Sequence, residues 1–76
     1  MIIKKEILQK LMEDDFNELS LELSRILKCR QQSLFTRIRQ CTMNFRTNSI
    51  VQEFIKSNLE KLGFTEDEIF EKLEEF

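Results

Sequence analysis

The chain predicts an all-α domain, a compact bundle of four to five short helices occupying residues 1–76 as one unit. Three observations carry that prediction. There is no Pro and a single Gly, and 34% of residues are charged, a composition that favours helix throughout. Apolar residues return at helical spacing in one segment after another. Residue pairs of the helix-capping type stand between those segments. An apolar content of 41%, including seven Phe and no Tyr or Trp, is enough for one core, with Phe as its filler. At this length only about 60–65% of the unfolded surface is buried, so marginal stability is expected.

Ile3, Ile7, Leu8, Leu11 and Met12 form the first apolar stripe and read as an amphipathic helix. Glu13-Asp14-Asp15 follows, with Asp15 placed to cap a second helix and Glu18 to complete a capping-box pair. Phe16, Leu19, Leu23, Ile26 and Leu27 share one face of that helix. The next apolar set is Leu34, Phe35, Ile38, Cys41 and Phe45. A single helix over 16–46 would run about 45 Å and would set Arg30 and Arg37 at the edge of the apolar stripe, a costly place for charge. A turn at Arg30-Gln31-Gln32-Ser33, with Ser33 as N-cap, removes that conflict and is the favoured reading. Arg46-Thr47-Asn48-Ser49 marks the next break, with Ser49 and Gln52 as a capping box ahead of Ile50, Val51, Phe54, Ile55, Leu59 and Leu62. Gly63 falls where a helix end needs a left-handed residue. Thr65 with Glu68 forms another capping box, Phe64 with Ile69 a hydrophobic staple, and Ile69, Phe70, Leu73 and Phe76 a last stripe.

Several function classes find no support. No run of 18 apolar residues is present and the first residues lack signal-peptide architecture, so a cytoplasmic location and no membrane contact are expected. Cys29 and Cys41 are the only cysteines. They are expected to stay reduced as small buried hydrophobes; their spacing matches no zinc site, and there is no His to complete one. Without His the commonest general base is missing, and one Gly builds no phosphate-cradling loop. The acid clusters at residues 13–15, 66–68 and 74–75 have no calcium-loop spacing and read as helix-start chemistry and a solvated end. No catalysis, cofactor or metal is expected.

The charge distribution is the informative feature. Residues Leu23 to Gln52 contain no Asp or Glu but carry Arg25, Lys28, Arg30, Arg37, Arg39 and Arg46. Residues 1–22 hold three Lys against six acids, and residues 53–76 three Lys against eight, so that −3 + 6 − 5 gives the formal −2. A cationic middle on an acidic chain can steer a polyanion to one surface. The planar guanidinium suits phosphate oxygens, and Gln, Thr, Asn and Ser residues interleave with the cations. Lys28, Arg30, Arg37, Arg39 and Arg46 are the candidate nucleic-acid contacts. Arg25 is a weaker one, because Glu18 and Glu22 sit one and two turns back. The expected partner is DNA or RNA, bound weakly through its backbone by a monomer. Two other readings remain open: a solvated basic face neutralised by acids of neighbouring helices, and an adaptor that binds protein and not nucleic acid.

In length, His-free helical make-up and sorted charge, the whole chain resembles the small helical proteins encoded beside the UvsW helicase in T-even bacteriophages, which are similar to the helicase-and-RNase-D C-terminal (HRDC-like) domain. That resemblance implies a helical bundle acting as an auxiliary nucleic-acid-binding module of a helicase or repair enzyme, through a basic patch to which Lys28, Arg30, Arg37, Arg39 and Arg46 correspond. The chain is smaller and more acidic than the larger members.

Overall fold

A computed structural model describes residues 1–71. Strand β1 (Ile2–Ile3) leads into helix α1 (Lys5–Lys10). A one-turn 3-10 segment (Asp14–Phe16) then feeds α2 (Asn17–Ile26), α3 (Gln31–Gln40), the short α4 (Met43–Arg46), the long α5 (Ser49–Lys61) and the one-turn α6 (Glu66–Ile69). Strand β2 (Phe70–Glu71) closes the order and pairs antiparallel with β1, Ile2 opposite Glu71 and Ile3 opposite Phe70. The all-α class is as expected; the described residues divide into six helices, two of them four residues long.

The strand pair departs from the sequence reading. Ile3 and Phe70 sit at helical spacing from their neighbours, yet both are extended and buried. Thr65 and Glu68 do form the expected capping box, but α6 ends after one turn and Phe70 turns into the ladder at φ −116° and ψ 144°. The reason is non-local: pairing with β1 satisfies backbone groups that a further helical turn would otherwise have bonded. Leu73, Phe76 and the Glu74-Glu75 pair lie outside the described residues.

Helix phase decides the core. Ile3, Leu8, Leu11, Leu23, Leu34, Val51, Ile55, Leu59 and Ile69 are all but fully buried, and each such aliphatic side chain stabilises the fold by about 1.5–3 kcal/mol relative to exposure. Phe45, Phe54 and Phe70 are buried with them, while Phe16, Phe35 and Phe64 pack against the cluster at its margin. Cys29 and Cys41 are free thiols, half-buried against the same cluster and not fully enclosed. Ile26, Ile50 and Leu62 match the apolar stripes in spacing but stand exposed.

Three caps differ from the sequence reading in position or kind. The turn before α3 exists, but its cap residue is Arg30 and no side chain bonds the first N–H groups; Ser33 lies inside the helix. Asn48 caps α5, accepting from the N–H groups of Ile50 and Val51 at 2.9 and 3.2 Å. Asn is among the best N-caps, and Gln52 is thereby released to donate to the carbonyls of Met1 and Arg46. The Asp15–Glu18 box is absent, because Asp14 and Asp15 are taken into the 3-10 turn and α2 begins at Asn17 without a side-chain cap.

The end of α5 follows its sequence signal. Gly63 adopts φ 98°, its N–H bonds the Glu60 carbonyl, and the N–H of Phe64 reaches back to Leu59, each at 3.0 Å. This is the paired hydrogen-bond pattern of a Schellman motif. It turns Phe64 back onto the core, where the Lys10 ammonium lies 5.9 Å from the ring centroid. A Cβ at Gly63 would meet nothing within 4 Å, so Gly63→Ala introduces only the left-handed backbone strain. It is expected to lower unfolding free energy by about 1 kcal/mol in urea denaturation. A loss near zero would mean the turn relaxes out of the left-handed region.

Candidate nucleic-acid interface

The candidate surface is organised by α3, Gln-Gln-Ser-Leu-Phe-Thr-Arg-Ile-Arg-Gln, which contains no acid. Leu34 and Ile38, four residues apart, are buried and fix the inward direction. At 100° per residue the outward direction falls to Gln32, Thr36, Gln40 and Arg39, with Ser33 and Arg37 on one flank, and all six are exposed. The Thr36 hydroxyl donates to the Gln32 carbonyl at 3.0 Å and accepts from Arg39 Nη2 at 3.5 Å.

What holds α3 in place is its seam with α2. Ser20 and Ser24 are buried on α2, each satisfied by a local bond from its hydroxyl to the carbonyl of Asn17 or Leu21. Gln31 donates across the seam to Asn17 Oδ1 and Ser20 Oγ, both at 2.8 Å. Small hydroxyl residues let the two helices approach closely, and one Gln links them without an unsatisfied polar atom.

The loop between them, residues 27–30, turns through a second Schellman motif. Lys28 has φ 55°; its N–H bonds Arg25 at 3.1 Å, and Cys29 N–H bonds Ser24 at 2.9 Å. Lys28 therefore occupies the position that Gly63 occupies after α5, at a conformational cost of roughly 1–2 kcal/mol for a residue with a Cβ. Cys41, at the other end of α3, is likewise left-handed, at φ 49°. Lys28 and Arg30 are both exposed at the entrance to α3.

Four of the five candidate cations, Lys28, Arg30, Arg37 and Arg39, are thus on or beside α3 with exposed side chains. Among the described residues none of the four has a carboxylate within ion-pairing distance. Arg46 differs. It is 7% exposed, donating from Nε to the Ile3 carbonyl at 2.9 Å and from Nη2 to Glu71. Its charge is neutralised and its fork faces inward, so the expectation of Arg46 as a surface phosphate contact is not matched by its geometry. It is the clamp between α4 and the strand pair. Arg25 lines a shallow depression with Glu18 and Glu22, as its spacing on α2 implies.

Two open grooves flank α3. One, of about 320 Å³, runs between α1 and α3 and is lined by Lys5, Gln9, Arg39 and Gln40 among others. The second, of about 310 Å³, lies on the other side and presents Arg37, Gln40, Thr42, Asn44 and Asn48. Neither is lined by any Asp or Glu. Three of the six acids of the N-terminal segment are elsewhere: Asp15, Glu18 and Glu22 line a depression between α2 and the end of α5. Lys5 and Gln9 are the surface residues that the sequence reading missed. Charge counting placed Lys5 in an acidic segment, but its spacing to Gln9 and Met12 sets it on the edge of α1 that meets α3.

The described residues hold no cluster of His, Cys, Asp and Glu able to bind a metal ion, and no helix among them is long and apolar enough to cross a membrane. What the surface offers is guanidinium, ammonium and amide donors around one helix. No family model matches the chain, and neither a curated protein nor a solved structure matches it.

Assigning Arg46 to the fold makes a direct prediction. Arg46→Met keeps the apolar bulk but removes both donors, leaving the Ile3 carbonyl without that partner. Glu71, half exposed, can return to water. The variant is expected to lose about 1–3 kcal/mol of stability in chemical denaturation. A variant as stable as the parent would show that the clamp contributes nothing net.

Proposed function

We propose that this protein is a non-catalytic nucleic-acid-binding module that contacts the phosphate backbone weakly through Lys28, Arg30, Arg37 and Arg39, as an accessory to a helicase or a recombination or repair enzyme. The observation that carries the reading is the surface around α3, where these four cations are exposed and the two flanking grooves are lined by no carboxylate. Guanidinium and amide donors in that arrangement suit phosphate oxygens. The sorted charge of the sequence supports it, as does the resemblance to HRDC-like modules. Removing Arg46 from the contact set makes the surface smaller than the sequence implied and keeps the expected binding weak.

Counterion release gives the test its magnitude. Four phosphate contacts correspond to a slope of log K on log salt of roughly −3 to −4 on duplex DNA. Arg37→Gln combined with Arg39→Gln should weaken binding at low salt and flatten that slope by about 2, with helix content unchanged by circular dichroism. Unchanged affinity in fluorescence anisotropy would remove the assigned surface. An unaltered parent protein that binds no nucleic acid would return the chain to the adaptor reading.

Lys28 allows a sharper test because its two roles oppose each other. Lys28→Gly relieves the left-handed strain and is expected to raise stability by about 0.5–1 kcal/mol while reducing the magnitude of the salt slope by about 1. A glycine variant that is more stable and binds equally well would take Lys28 out of the contact set.

A further inference from the structure

We propose that α2 and α3 form a helix-turn-helix unit and that α3 enters the major groove of duplex DNA. The inference rests on the nucleic-acid reading above and narrows its ligand from any polyanion to one form. Four features of the molecule lead to it.

The connection comes first. A helix-turn-helix joins its two helices by a turn of three to four residues, often containing Gly. Here four residues separate Ile26 from Gln31, and the sharp bend is made by Lys28 in the left-handed conformation that Gly would supply. Next is rigidity. Gln31 is bonded to both Asn17 and Ser20 on α2, and buried Leu23, Leu34 and Ile38 anchor the pair to the core. The second helix is therefore presented as a fixed rod and not as a mobile arm.

The exposed face of that rod is the third. Gln32, Ser33, Thr36, Arg39 and Gln40 face solvent, and they are of the types that read base edges: Gln pairs bidentately with adenine, Arg with guanine, and Ser or Thr with either. Arg30 and Lys28 stand at one end and Arg37 toward the other, positioned to straddle the groove on its phosphates. The last feature concerns size and alternatives. A helix with its side chains is about 10–12 Å across, matching a major groove about 12 Å wide. The major groove of A-form RNA is too narrow and deep for a helix. Single strands are held by stacking on exposed aromatics, and no Phe among the described residues is exposed.

The test uses the full chain and three probes of one mixed sequence, about 20 base pairs or two helical turns long: duplex DNA, one of its strands alone, and the corresponding RNA duplex. Fluorescence anisotropy at one salt concentration is expected to give duplex DNA about a tenfold or greater advantage over each of the others. A second measurement locates the contact. A nitroxide on thymine C5 projects into the major groove and is expected to broaden the amide signals of Gln32, Thr36 and Gln40. Equal or tighter binding of single-stranded DNA or duplex RNA overturns the inference while leaving nucleic-acid binding in place. So does duplex binding in which those amides stay sharp. Failure of all three probes to bind removes the nucleic-acid reading as well.

Discussion

The fold depends on bringing β1 and β2 together, and Arg46 is the residue that does so from the middle of the chain. Strands of two residues cannot hold each other in water. β1 and β2 are stable only because Ile2, Ile3, Ile69 and Phe70 are buried beneath them and because Arg46 bonds the Ile3 carbonyl on one strand and the Glu71 carboxylate on the other. The seam continues through Gln52, whose amide donates to the carbonyls of Met1 and Arg46. One guanidinium and one amide thus connect the N-terminus, α4, α5 and β2. A buried arginine with a poor partner would be a liability; this one has a main-chain acceptor and a carboxylate, so its desolvation is offset.

Arg46 also separates what was legible in the sequence from what was not. Local signals were readable. Gly63 and the Thr65–Glu68 pair depend on residues within one turn of each other, and the hydrophobic stripes of α1, α3 and α5 depend only on helical phase. The break before α3 could be inferred because a continuous helix would have put Arg30 and Arg37 in the apolar seam. The strands were not readable, since Ile2-Ile3 and Phe70-Glu71 bond across nearly the whole chain and each is too short for an alternating pattern. The burial of Arg46 was hidden for the same reason: its two partners lie 43 and 25 residues away. The cap of α3 was missed because its turn is made by Lys28, a residue type with no tendency toward the left-handed region.

The candidate surface was legible as composition but not as shape. Counting charge along the chain found the acid-free middle; folding then rearranged it. Arg46 went inside, Arg25 stayed beside Glu18 and Glu22, and Lys5 arrived from an acidic segment to join Arg39 across a groove. Three of the flanking acids, Asp15, Glu18 and Glu22, line the depression between α2 and α5, and none lines either groove of α3. Single exposed ion pairs contribute about 0–1 kcal/mol, so the segregation is not needed for stability. Its physical effect is on the field outside the protein, where like charges on one side and few acids nearby add to a potential that reaches about a Debye length, near 8 Å at physiological salt.

Lys28 brings these arguments to one residue. The two long-loop helix ends use the same hydrogen-bond pattern, one with Gly63 and the other with Lys28. In backbone terms glycine is the cheaper choice at both. The Lys28 side chain is exposed, and among the described residues it has no hydrogen bond or ion pair that would offset the difference. In a domain whose expected stability is only a few kcal/mol, a strain of roughly 1–2 kcal/mol is a sizeable fraction. Within the fold, a cation at this C-terminal end of α2 gains about 0.3–1 kcal/mol from the helix dipole, less than the strain. A phosphate at the entrance of α3, where Lys28 and Arg30 are both exposed, would offset the rest, because a strand backbone would pass that end of a helix seated in the groove.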